Sequence, residues 1–443
     1  MGALAVRRWD ALPPSEKETI LARSTATIFD DDLHDSVAKI LADVRANGDD
    51  AIVRALAAFD DVHVEPRRLR VTEAEFAAAR EQVSTELLEA IRVGIDNIRR
   101  YNERVLRDAD WTEELSPGVW VGEQTSPIVS AGLFIPSGKG SFPSVLMQIG
   151  TPAVVAGVPQ VAVVVPPKPG GSAVDPAVLV VADELGLHDV FRVNGPAGIA
   201  ALAFGTESIP KVGRVVGPGS PAVAAAQIQV QRYGCSCVML FGPSESIVIA
   251  DEHQDPKLVA ADLLNEAEHG PDSAALLVTP SEELVREVSA YVDEALEELP
   301  QPRRDYAASA ISKFGGAILV RDLADAVAFA NEYAPEHLLV ATQNPEEQLA
   351  GLRNAGEILL GDTPIVAANL SIGVPATLPT GGFARFSSGV TARTFTKTSS
   401  IARTSPEAIE RLGPSILAIA DHEGFPAHAR SIHLRRERAE RSA

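Results

Sequence analysis

The spacing of hydrophobic positions changes near residue 120. Before that point they recur at helical intervals: Val37, Ile40, Leu41 and Val44 line one face of 35–47, and after Gly48 a second face follows through Ile52, Val53, Leu56 and Phe59. Thr72-Glu73-Ala74-Glu75 has the form of a capping box, and the spacing predicts a long helix from there to about Arg107. Beyond Trp120, short β-rich runs alternate with alanine-rich helical runs. Strands are expected at 129–135, 161–165, 190–193 and 214–216, with helices near 145–156, 177–185, 199–204 and 222–231. A second series follows, with strands at 238–240, 246–251, 275–279, 318–320 and 338–342 and helices at 256–269 and 281–296. That alternation is the signature of mostly parallel sheets with crossover helices. The expected class is α/β: two tandem, incomplete Rossmann-like doubly wound domains, with a helical N-terminal segment and a helical C-terminal arm. The boundaries implied are 1–110, 111–236, 237–390 and 391–443. No low-complexity tract or 20–50-residue repeat interrupts the pattern.

A length of 443 residues exceeds one ordinary core. A formal net charge of −21 argues against nucleic acid and against anionic membrane surfaces as partners. The most apolar stretches are broken by Pro159, Pro166 and Pro167, so none suits a spanning helix, and MGALAVRRWDALPP has no apolar signal core. Cys235 and Cys237 are two apart and lack a CxxC spacing, so they read as reduced packing residues of a cytoplasmic protein. The basic end ARSIHLRRERAERSA reads as a solvated helix or an intersubunit arm.

Chemistry concentrates in a few places. In 256–270, Asp255 is an N-cap, Pro256 takes the first helical position, and Gly270-Pro271 stops the helix. Glu266 and His269, three apart, then project together from the last turn. A carboxylate and an imidazole so placed form half a metal site or simply the end of a surface helix. Glu336-His337, before an apolar strand, would serve as paired proton-transfer groups. If Pro335 opened a helical turn, His337 would be held neutral and ready to accept a proton. Glu423 and His428 lie five apart near the C-terminus. No GxGxxG occurs, and Gly132–Gly140 fails the spacing of a phosphate loop, with Gly140 where Ser or Thr should follow Lys139. Gly217-Pro218-Gly219-Ser220, after a strand and before a helix, suits either a phosphate or a tight turn.

Five segments together identify a family: FGPSESIVIADE (241–252), ADLLNEAEHGPDS (261–273), NEYAPEHL (331–338), LPTGGFARFSSG (378–389) and EGFPAH (423–428). In this order they resemble histidinol dehydrogenases, zinc-dependent enzymes that oxidise an amino alcohol with NAD, over about Asp30 to Arg435. The resemblance implies that Glu336 and His337 are the acid–histidine pair, His337 taking the alcohol proton. It places Glu266, His269, Asn369 and His428 at the zinc, and Ser244 and Glu423, with those ligands and His337, against the substrate. It also implies a homodimer in which the C-terminal arm, with His428 and Glu423, completes the partner's site.

The chain departs from the family at several positions. Glu266 stands where the family has glutamine and Asn369 where it has aspartate, an exchange that leaves the ligand charge unchanged. Ala376 replaces a substrate-holding histidine, while Phe134, Ala197 and Ser220 replace cofactor-contacting tyrosine, glutamine and asparagine. The expected function is therefore a zinc-dependent dehydrogenase of a small polar alcohol, amino or hydroxy, linked to NAD or NADP, with a substrate other than histidinol. Authentic histidinol dehydrogenase, a zinc hydrolase and a non-catalytic ligand-binding protein are the alternatives.

Overall fold

The computed structural model describes residues 4–23, 25–136, 140–168, 171–238 and 242–442. The chain divides into two compact units, Met1–Glu103 with Ile128–Phe395, and Arg104–Pro127 with Thr396–Ala443.

Among the described residues the first unit holds two parallel sheets. In the five-stranded one, Val190–Arg192, Val161–Val165, Ala131–Phe134, Arg214–Val216 and Ser236–Cys237 lie side by side in that order. In the six-stranded one the order is Val6–Arg8, Gly316–Leu319, Ala274–Thr279, Glu245–Ala250, His337–Ala341 and Glu357–Leu360. Strands such as Val161–Val165 are buried along their whole length, which is why the sequence reads as an unbroken apolar run. Helices cover both faces. Leu41, Val44, Ile52 and Leu56 of the Asp31–Asp60 helix share one core with Val164, Phe191 and Val215 of the smaller sheet. Each such fully buried aliphatic side chain contributes about 1.5–3 kcal/mol.

Alternation along the larger sheet sorts its side chains into two layers. Val248, Leu277, Leu339 and Leu359 pack with the Pro256–Ala267, Glu282–Glu298 and Arg303–Lys313 helices. Ile247, Leu276, Ile318 and Leu338 pack with Leu323–Tyr333 on the other face. With a period of two, Ser246, His337 and Glu357 fall on the face that carries the Pro256–Ala267 helix.

The expected 72–107 helix is two, Glu73–Gln82 and Thr85–Leu106. Val83 is extended, and Ser84 Oγ accepts from Leu87 N at 3.1 Å, a cap that starts the second helix. The capping box at Thr72 and Glu75 is formed. The 111–236 boundary is corrected: Trp111–Ser116 and Val119–Pro127 pair as a hairpin with Thr396–Thr404, forming the second unit with the helices Pro406–His422 and Pro426–Ser442. Val6–Arg8, not foreseen as a strand, is an edge of the larger sheet. The strand expected at 238–240 runs into residues 239–241, outside the described residues, as does the Ser137–Lys139 part of the rejected phosphate loop. No helix among the described residues is long and apolar enough to cross a membrane.

Where Arg214–Val216 ends, Gly217 has φ +147°, and a Cβ there would stand 2.0 Å from the carbonyl oxygen of Phe134 on the adjacent strand. Only glycine lets the two strand ends approach so closely. Gly217→Ala is expected to destabilise the protein by about 1–3 kcal/mol, read as a lower midpoint in thermal unfolding followed by circular dichroism.

Candidate active site

A cavity of about 560 Å³ in the first unit opens where the two sheets present opposite ends. Pro136 and Pro218–Pro221 follow the carboxyl ends of two strands of the smaller sheet, at the point where its strand order reverses. Ligands of open α/β sheets bind at such switch points. From the larger sheet come Gly242–Ser244, Ser273, Glu336 and His337, all at the amino ends of strands.

One wall carries Glu266, His269, Asn369 and Ser244. The helix bearing Glu266 is capped as expected, Asp255 accepting from Lys257 N at 2.8 Å, and it ends at Ala267, two residues before His269. Glu266 is fully buried. Its Oε1 accepts from Asn369 Nδ2 at 3.2 Å and from Asn265 Nδ2 at 2.8 Å, while His269 Nδ1 lies 3.0 Å from Oε2 and 3.0 Å from Ser244 Oγ. Burial opposes ionisation of Glu266, but His269 and His337, with the hydrogen bonds, outweigh it and hold its carboxyl at about 2. The same pairing with Glu266 raises His269.

The facing group is Glu336 and His337. Glu336 Oε2 accepts from Glu245 N at 3.0 Å, and its Oε1 lies 3.7 Å from His337 Nε2. The other ring nitrogen of His337 is hydrogen-bonded to Glu357 Oε1. Burial pushes Glu336 up to about 8, with His337 opposing. Burial also works against the imidazolium of His337, but Glu266, then Glu336 and Glu357, outweigh it and raise the ring to about 10. His337 opens a strand instead of following a helical turn, so no helix dipole holds the ring neutral as expected from a turn at Pro335, and the surrounding carboxylates favour its charged form.

The cavity thus gathers Ser244, Glu266, His269, Glu336, His337, Asn369, Ser220 and Ala376. Phe134 and Ala197, expected at the cofactor, belong instead to the core of the smaller sheet. The Phe134 ring points at the Gly195–Phe204 helix, 3.4 Å from where a Cβ of Gly198 would stand. Glu423 and His428 belong to the second unit, exposed at the junction of its two helices, the His428 ring 4.9 Å from that of Phe425.

Three residues near the site escaped sequence reasoning. Glu357 meets His337 only through strand register. Gln148 donates to Ala368 O and accepts from Ala376 N, each at 3.2 Å, tying the Pro143–Val155 helix to the loop around Asn369. Arg23 lies 3.1 Å from Glu245 Oε1, both side chains almost fully buried, with its guanidinium 3.6 Å from the Tyr333 ring centroid. Gly381 N donates to the same carboxylate at 2.9 Å. Glu245 in turn holds Glu336 through its backbone, so the buried ion pair underpins the Glu336–His337 pair.

A family profile described as histidinol dehydrogenase matches residues 23–436. A histidinol dehydrogenase homolog of Colwellia psychrerythraea is 40% identical over 98% of this chain and 97% of its own length. A histidinol dehydrogenase of Synechocystis sp. is 41% identical over 96% and 97%. The crystal structure of histidinol dehydrogenase from Elizabethkingia anophelis superposes with a TM-score of 0.92 at 30% identity, covering 99% of both chains. Fold and relatives together define an oxidoreductase that acts on CH–OH groups with a nicotinamide acceptor. The chain belongs to the histidinol dehydrogenase family.

Removing Arg23 would leave Glu245 charged and buried without its partner. Arg23→Met is expected to cost about 3–5 kcal/mol, measured by urea unfolding, and Arg23→Met with Glu245→Gln should recover part of that loss.

Proposed function

We propose that this protein is a zinc-dependent, NAD(P)-linked dehydrogenase of a small polar alcohol, amino or hydroxy, with a substrate altered from histidinol. The observation that carries the reading is one cavity holding a proton-transfer pair, Glu336–His337, opposite a carboxylate–imidazole–amide set, Glu266, His269 and Asn369.

Those residues fit the metal. Glu266 Oε2 is buried and has no hydrogen-bond partner, although His269 Nδ1 stands 3.0 Å away. A carboxylate oxygen and an imidazole nitrogen, with the Asn369 amide beside them, are donor types that zinc takes. Among the described residues no three His, Cys, Asp or Glu side chains are grouped to hold a metal. The set here is two such side chains and an amide, and a tetrahedral site takes one more; His428 of a second copy is proposed for that place, with Glu423 beside the substrate. When bound, zinc held by these residues would supply Lewis-acid chemistry, polarising and orienting the substrate's heteroatoms. His337 accepts the hydroxyl proton at Nε2 as the carbinol hydride passes to the oxidised nicotinamide, and Glu336 activates water if an aldehyde is carried on to the acid with a second hydride passed to a second nicotinamide. Ser220, exposed at the N-terminus of the Pro221–Val230 helix, lies on the cofactor side of the cavity.

Two observations support an altered substrate and an intact metal set. Ala376 lines the cavity where the family resemblance places an imidazole, so a hydrogen bond made to histidinol has no counterpart, a loss of roughly 1–3 kcal/mol if the donor is orphaned. Glu266 and Asn369, which exchange the family's amide and carboxylate, are hydrogen-bonded to each other. A carboxylate and an amide in direct contact keep one charge and one donor–acceptor pair whichever way round they stand.

The test is a screen of amino and hydroxy alcohols with NAD and NADP, following reduced nicotinamide by absorbance. Oxidation of an alcohol other than histidinol, at least roughly tenfold faster by kcat/KM, is the expected outcome. A preference for histidinol would return the chain to the ordinary activity of its family, and turnover of none would remove the proposal. The exchange makes a second prediction. Glu266→Gln and Asn369→Asp should each lose bound zinc, one by removing the only carboxylate of the set and the other by setting two in contact. The double variant should regain stoichiometric zinc, measured by atomic emission.

A further inference from the structure

We propose that Glu357 is the positioning residue of His337, fixing the ring so that Nδ1 carries a hydrogen and Nε2 faces the substrate. The inference rests on the reading of His337 as the proton acceptor.

The geometry is set by the backbone. His337 and Glu357 are directly paired in adjacent parallel strands, so their side chains leave the sheet on one face. The strands are drawn together before they reach these residues: Gly356 N donates to Pro335 O at 2.9 Å and Glu357 N to Glu336 O at 3.0 Å. A Cβ at Gly356 would stand 2.5 Å from the carbonyl oxygen of Glu336, so the approach needs glycine. Glu357 therefore has little choice of position, and its Oε1 meets His337 Nδ1 with both residues buried.

The arrangement is one-sided. Glu357 is not among the residues lining the cavity, whereas His337 is. A carboxylate accepts and does not donate. The ring nitrogen it meets must therefore carry the hydrogen in the neutral as well as the charged state, which leaves the lone pair of the neutral ring on Nε2. That nitrogen is the one beside Glu336 Oε1. Glu266 and Glu336 also face the ring, from the helix and from the residue before the strand, but neither is hydrogen-bonded to Nδ1. No substrate atom need touch Glu357 for its loss to matter.

The experiment has one arm that requires no substrate and one that does. In protein labelled with 15N-histidine, imidazole spectra near neutral pH are expected to show a low-field proton on a ring nitrogen, assigned to His337 by its loss in His337→Asn. It should persist in Glu357→Asp and vanish in Glu357→Gln. With the alcohol found by the screen, Glu357→Gln is expected to lower kcat by roughly 10²–10⁴-fold with KM nearly unchanged. It should also move the acidic limb of kcat/KM to lower pH, because removing a carboxylate weakens the base. Glu357→Asp should recover part of kcat. A wild-type His337 carrying its hydrogen on Nε2 alone overturns the proposal whether or not any variant folds. So does a Glu357→Gln enzyme with unaltered kcat and pH profile. Failure of every alcohol in the screen would count against the proposed function only, since the spectra decide the pairing independently.

Discussion

Burial of several carboxylates around one imidazole is the constraint from which the rest of the first unit follows. Glu266, Glu336 and Glu357 surround His337, and Glu245 lies one residue behind. Each would be expensive to desolvate alone. Together they persist because every one has a partner: Asn369 and Asn265 at Glu266, a backbone N–H at Glu336, the ring of His337 at Glu357, Arg23 and Gly381 at Glu245. The supports come from distant parts of the chain, so the site exists only when the amino ends of the central strands, the Pro256–Ala267 helix and the segment around Arg23 are all in place. Glu245, Glu266 and Glu357 each also keep one buried oxygen outside these bonds. Structural carboxylates are seldom left that way.

Residues governed by local rules were legible in the sequence. Asp255, Pro256 and Gly270 bracket a helix, and three-residue spacing sets Glu266 and His269 together at its end; the structure moves that end by about a residue or two. The alternating strands and helices from Trp120 onward were legible for the same reason. Residues governed by register were not. Nothing around Glu357 in AGEILLG distinguishes it from any acid opening a strand, and its meeting with His337 depends on which strands become neighbours. Arg23 and Glu245 are 222 positions apart and meet only because the N-terminal segment folds under the larger sheet.

At Phe134, family position and local physics point different ways. Gly132 and Phe134 share a face of their strand, and Gly132 packs against Leu202 and Val212. The ring of Phe134 follows it into that core and toward Gly198. A tyrosine has a hydroxyl that must find a partner, whereas phenylalanine loses nothing by turning inward. The hairpin at 111–127 was missed for a different reason: its first strand is largely exposed, so it lacks the apolar run that marks the buried strands.

The cavity lies at the carboxyl ends of one sheet and the amino ends of the other, and this reverses the polarity of the helices on its two sides. On the smaller sheet's side the Pro143–Val155 and Pro221–Val230 helices begin at the cavity, with Ser144, Val145 and Ser220 lining it. On the other side the Pro256–Ala267 helix ends there. Peptide dipoles therefore impose a standing field across the space, positive at one wall and negative at the other. An anionic group and a cation would each be stabilised at the wall that suits its charge. A reaction that sends hydride one way and a proton the other would run along that field.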